Sequence, residues 1–216
     1  MIDELDLLKK DWQKRDEHLP KLSFDQIHNM IWKKSSSIVR WILIISILEF
    51  TLPHLLYLIP SFNKNMEIYD KLGLHNWIIG ITIFSYGVAF YFLFQFYRRY
   101  KEICVLDSAK SLMKKIIRTR RTVKHYIIYS LSMIMVIVIL MIIGVYLNDD
   151  IFSTFSGLKD KAQNVSIEKI KISLMIGMGI MGIVLTAVMG GIYFLLYGLL
   201  LRKLKRNYNE LKQLEV

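Results

Sequence analysis

Arg98 to Lys124 reads RRYKEICVLDSAKSLMKKIIRTRRTVK. It holds ten of the 29 Lys and Arg residues of the 216-residue chain and only two acids, Glu102 and Asp107. It lies between two long apolar runs, Trp77–Tyr97 and Tyr126–Leu147. Two more such runs, Ile38–Ile59 and Ile172–Leu201, complete a set of four. About 20 apolar residues cross a bilayer as a helix, and each run is that long. Strand-like alternation is absent, and a single spanning segment must satisfy its own backbone groups. The sequence therefore predicts an all-α membrane protein: four transmembrane helices, amphipathic cytoplasmic helices and both termini in the cytoplasm.

The orientation rests on where Lys and Arg sit. Residues 98–125 carry a net charge of +8, and the 202–216 tail carries +3. The loops at 60–75 and 148–171 are neutral overall. The central segment and both termini then face the cytoplasm, and the two loops face outward, as in a bacterial inner membrane protein. Residues 1–20 are charged throughout, so no signal peptide is expected and the first span acts as the insertion signal. One cysteine, Cys104, excludes an internal disulfide and any cysteine-based metal cluster.

Three parts are expected: cytoplasmic amphipathic helices over 1–37, the transmembrane domain over 38–201, and a basic cytoplasmic tail over 202–216. Ile2, Leu5, Leu8 and Trp12 give residues 1–17 one apolar face, and Pro20 ends that element. Ser23 with Gln26 three residues on reads as a capping box for a second helix. Within 98–125, Val105, Leu106, Ala109, Leu112, Met113, Ile116 and Ile117 form one stripe opposite Lys110, Lys114 and Arg118. That pattern describes an interfacial helix. Lys110, Lys114, Lys115 and Arg118 are its expected contacts with the anionic leaflet. Anionic lipid explains this charge between two spans better than nucleic acid does.

Glu49 is the one charged residue at mid-depth in a span, and Pro53 leaves its carbonyl without the usual donor. Counting along the spans places Tyr86 and Thr186 at the same level, as hydrogen-bond donors to it. A carboxylate there is either a proton or cation site or a polar tie for the bundle. Gly177, Gly179 and Gly182 match G-x-G-x-x-G, but no strand precedes them and no acid follows at the right distance. Gly182, Thr186 and Gly190 instead form a small-residue seam for helix packing, against another span or a second copy of the chain. The five histidines are scattered. His54 and His75 could approach each other near Asp149 or Asp150, yet no pair has ligand spacing within a helix. No catalytic, cofactor or metal site is expected.

The motifs Glu4-Leu5-Asp6-Leu7-Leu8-Lys9, Trp12-Gln13-Lys14, Lys33-Lys34-Ser35-Ser36-Ser37-Ile38 and Arg118-Thr119-Arg120-Arg121-Thr122-Val123-Lys124 resemble a family of uncharacterised four-span membrane proteins of Bacteroidota. Members of that family often carry a label as carotene-cleaving oxygenases. The label implies a histidine-coordinated iron, which these scattered histidines do not support. Such proteins tend to be encoded beside an alternative sigma factor, and the resemblance implies a regulatory role. The expected function is a non-enzymatic regulatory or scaffold protein that docks a cytoplasmic partner, with a sigma factor as the implied candidate. The alternative is a small transporter or channel-like subunit using Glu49.

Overall fold

The computed structural model describes residues 23–56, 66–104, 107–148 and 166–214. Among them there is no strand. The elements are α1 (Phe24–Leu56), α2 (Met66–Lys71), α3 (His75–Cys104), α4 (Ala109–Leu147), α5 (Ile167–Tyr193) and α6 (Leu199–Leu214). A π-helical turn, Phe194–Gly198, joins α5 to α6 without a break. Four helices, α1, α3, α4 and the joined α5–α6, are long and apolar enough to cross a membrane. The expected element over 1–17 lies outside the described residues. At the start of α1 the expected reciprocal cap is present: Ser23 N–H donates to Gln26 Oε1 at 2.9 Å, and Gln26 N–H donates to Ser23 Oγ at 3.3 Å.

The amphipathic segment is not one interfacial helix. α3 ends at Cys104 and α4 begins at Ala109, so its two parts extend the second and third spans. The start of α4 has a local cause. Ser108 is its N-cap and accepts from Ser111 N–H at 3.3 Å. The Asp107 carboxylate accepts from the Ser111 hydroxyl at 2.5 Å and from Ser108 N–H at 2.9 Å, and it pairs with Lys115 at 3.2 Å. Those donors, the Ser111 hydroxyl foremost, hold the Asp107 carboxyl down at about 2.

α4 has 39 residues, about 58 Å at 1.5 Å per residue, against an apolar bilayer core of about 30 Å. The excess stands at the end of the bundle that carries the basic residues. There α1, α3, α4 and α6 pack as a four-helix head. Its core repeats at helical spacing: Ile31, Ser35, Val39 and Ile42 from α1, Ala109, Leu112, Ile116, Thr119 and Val123 from α4, and Leu201, Leu204, Asn207 and Leu211 from α6 are all buried. Ala109, Leu112 and Ile116 of the apolar stripe of α4 thus meet protein, while Ile117, Lys110, Lys114 and Arg118 are exposed. Two polar contacts fix the register of the head. Asn207 Nδ2 donates to Ser35 Oγ at 2.9 Å, and Trp32 Nε1 donates to the Ile103 carbonyl at 2.7 Å. Both matter because a buried polar group without a partner is costly.

The opposite end is held by a smaller cluster of Leu72, Leu74 and Val145. Gly73, at φ 67°, makes the turn between α2 and α3. Gly144 lets Leu74 in: a Cβ added there would lie 2.5 Å from Leu74 Cδ1. Between the ends, α5 packs on α4 through Gly182, where an added Cβ would meet Val138 Cγ1 at 2.6 Å. Gly190 has only ordinary contact, 3.9 Å from Leu131 Cδ1, and Gly177, Gly179 and Gly191 face open space. The seam therefore has one close approach. Gly182→Ala should cost about 1 kcal/mol net, because a stiff branched neighbour must move while alanine favours helix. Val138→Ala should restore the loss, and Gly191→Ala should show none. Thermal unfolding of Gly182→Ala, Gly182→Ala/Val138→Ala and Gly191→Ala beside the wild type in detergent measures this, and equal midpoints for Gly182→Ala and Gly191→Ala would refute the close approach.

Candidate functional site

Glu49 lies on the inner side of α1, one turn past buried Ser46. Its carboxylate is held by α5 and the π-helical turn. Tyr193 Oη donates to Glu49 Oε1, and Tyr197 Oη donates to Glu49 Oε2 at 2.9 Å. Both rings are buried, Tyr197 completely. Tyr126 of α4 completes the cluster, its ring centroid 6.3 Å from Tyr193 and 5.9 Å from Tyr197. Phe92 and Phe96 of α3 pack on Tyr126, each with centroids 5.4 Å away. Four helices thus meet around one carboxylate.

Two tyrosines four positions apart share one face of a helix, offset by only about 40° at about 100° per residue, so both reach one side chain. The turn between them is π-helical, with i→i+5 bonds. Gly198 leaves room in that turn for the Phe194 ring, whose Cδ2 lies 3.1 Å from the position of an added Cβ. Arg202 then stacks its guanidinium over Phe194 at 4.8 Å.

The residues singled out from the sequence fall in three places. Tyr86 lines a cavity beside Glu49 and meets Phe50 edge-on at 6.1 Å. Thr186 is elsewhere: its hydroxyl is within 2.8 Å of the Gly182 carbonyl and 3.3 Å of Met135 Sδ. It lies seven residues before Tyr193, about 10 Å along the axis. Tyr193 and Tyr197, not Thr186, donate to Glu49. The level is corrected too. Tyr126 is two residues past Lys124, and Tyr197 is five before Arg202. Glu49 therefore sits toward the basic end, not at mid-depth. Lys115 pairs with Asp107, whereas Lys110, Lys114 and Arg118 are exposed.

His75 pairs with Asp70. The His54 side chain, Asp149 and Asp150 lie outside what the structure describes. Among the described residues no three His, Cys, Asp or Glu side chains gather as metal ligands.

Four apolar helices, tied by a carboxylate–tyrosine cluster, make this a multi-pass helical membrane protein. The chain belongs to the family described as domain of unknown function DUF8845, whose model matches residues 25–216. No curated protein and no solved structure matches it.

Proposed function

We propose that this chain is a non-enzymatic membrane-anchored docking protein of the bacterial inner membrane, with its helical head in the cytoplasm as a platform for a soluble partner. The carrying observation is the distribution of packing. The larger core lies in the head, where buried apolar residues and the Ser35–Asn207 pair fix one arrangement. The apolar stretches of the helices, by contrast, leave most side chains on the outer surface, Ile83, Ile128, Ile180 and Val184 among them. A rigid head with a charged exterior suits recognition of a protein surface. Lys114, Arg118 and Arg121 are exposed along α4, and the partner they fit is acidic on its contact surface. Where this side meets the bilayer, the same charge suits the anionic leaflet.

The test is co-purification of the tagged full chain from native membranes, beside Lys114→Glu/Arg118→Glu/Arg121→Glu. A soluble protein retained by the wild type and lost from the charge reversal, at equal thermal midpoints, supports the reading. The same soluble proteins on both, or none on either, defeats it. An alternative sigma factor is the first purified protein to mix with the two chains, as the sequence resemblance implies. The second reading is a small transporter or channel-like subunit using Glu49, and the cavity beside that residue favours it.

A further inference from the structure

A cavity of about 220 Å³ opens between α1 and α3 beside the Glu49 carboxylate. At about 30 Å³ per water it has room for roughly seven. Its polar lining is sparse. Ser46 donates its hydroxyl to the Leu43 carbonyl at 2.8 Å, and the other polar side chains of the wall are Ser85, Tyr86, Tyr126 and Glu49. No Lys, Arg or His lines it, and among the described residues no ion pair reaches Glu49. The rest of the wall is largely aromatic: Phe50, Tyr86, Phe92, Phe96 and Tyr126. Most neighbouring pairs among these rings meet steeply, while Phe92 and Phe96 are inclined at 34°. Phe50 and Tyr86 are inclined at 74°, Phe92 and Tyr126 at 66°, and Phe96 and Tyr126 at 82°. The ring planes around the space therefore differ in direction.

We propose that this cavity binds an organic ammonium group, with the positive charge set against the Glu49 carboxylate and the surrounding aromatic rings. A carboxylate offers about four lone-pair sites; Tyr193 and Tyr197 donate to two, and the Tyr126 hydroxyl bonds the same carboxyl. The carboxylate can therefore keep its tyrosines and still face a cation. Aromatic faces attract ammonium groups through the ring quadrupole, more strongly once water is excluded. A metal ion of the hard type requires six or more oxygen ligands, or several bound waters. The phenyl walls supply neither, whereas an alkylated nitrogen requires neither. The ammonium could come from a lipid headgroup such as ethanolamine, reached from the bilayer, or from a soluble alkylammonium. The inference stands apart from the docking reading, which rests on the head.

The test uses the full chain in nanodiscs of phosphatidylglycerol, titrated with tetramethylammonium chloride and, separately, with sodium chloride at equal ionic strength. Heat of binding and the unfolding midpoint are followed, since a ligand that binds only the folded chain raises the midpoint. Saturable binding is expected for the wild type, and roughly tenfold or weaker binding for Glu49→Gln. Ala89→Leu, which fills the cavity wall and leaves the carboxylate in place, should lose binding as well. It keeps the question open to refutation if Glu49→Gln folds poorly. A second set of nanodiscs includes phosphatidylethanolamine. A lipid occupant would raise the wild-type midpoint there, not that of Ala89→Leu, and would weaken the added ammonium. An unchanged titration would mark a soluble ammonium as the source. Equal response to sodium, full binding by Ala89→Leu, or no binding in either lipid mixture overturns the proposal.

Discussion

Glu49→Ala is expected to unfold in detergent well below the wild type, while Glu49→Gln keeps a midpoint close to it. Alanine removes the acceptor from two buried hydroxyls, Tyr193 and Tyr197. Each orphaned group costs about 1–3 kcal/mol. The lower end applies here, because partly unfolded chains in an apolar solvent find other partners. The sum is on the order of 2–3 kcal/mol. Glutamine retains an acceptor oxygen for one tyrosine, and its amide can donate to the hydroxyl oxygen of the other. A Tyr193→Phe/Tyr197→Phe chain should lose less than Glu49→Ala, since the remaining carboxylate is half-exposed on the cavity side. Thermal unfolding of the four chains decides this. Equal loss for Gln and Ala would mean that charge, not hydrogen bonding, holds the cluster.

The larger effect belongs to the head. Ile116 is 0% exposed and Ile117 is 41% exposed. Ile116→Ala should cost about 2–5 kcal/mol, the usual range for emptying a packed site, and Ile117→Ala a small fraction of that. The comparison is sharp because the two are neighbours of the same type. An interfacial helix would bury both residues of its stripe in lipid and give similar small losses in detergent. Equal midpoints for the two variants would restore that picture.

The four spans were legible in the sequence because length and charge alone mark a bilayer crossing. The head was not, for a reason visible in Leu112 and Ile116. An apolar stripe opposite lysines has the same period whether lipid or protein covers it, and only the partner helix decides. The partner was α6, where Leu204, Asn207 and Leu211 repeat at three and four residues in a stretch set aside as a basic tail. Glu49 stood out as a charge inside an apolar run. Its partners did not, because counting depth from the span ends treated all spans as equally placed. The available signal was Tyr193 with Tyr197, two hydroxyls four apart on one helix. Gly182 was found through its small neighbours. Gly144, with none, was missed, although Leu74 presses on it more closely.

Ser35 meets Asn207 across 172 positions of sequence. During synthesis the first helix therefore emerges long before the segment that covers it. α6 has 16 residues, so the side of α1 around Ser35 waits until the 172 positions that separate it from Asn207 have been made. Contacts this distant along the chain form late, and exposed apolar surface in unfinished chains invites aggregation. A product released early, even with all four spans inserted, would show that uncovered face to the surrounding solution. Completion of the head is thus a physical mark of a chain made at least as far as α6, and a cell's quality-control proteases could read it from the uncovered face of α1.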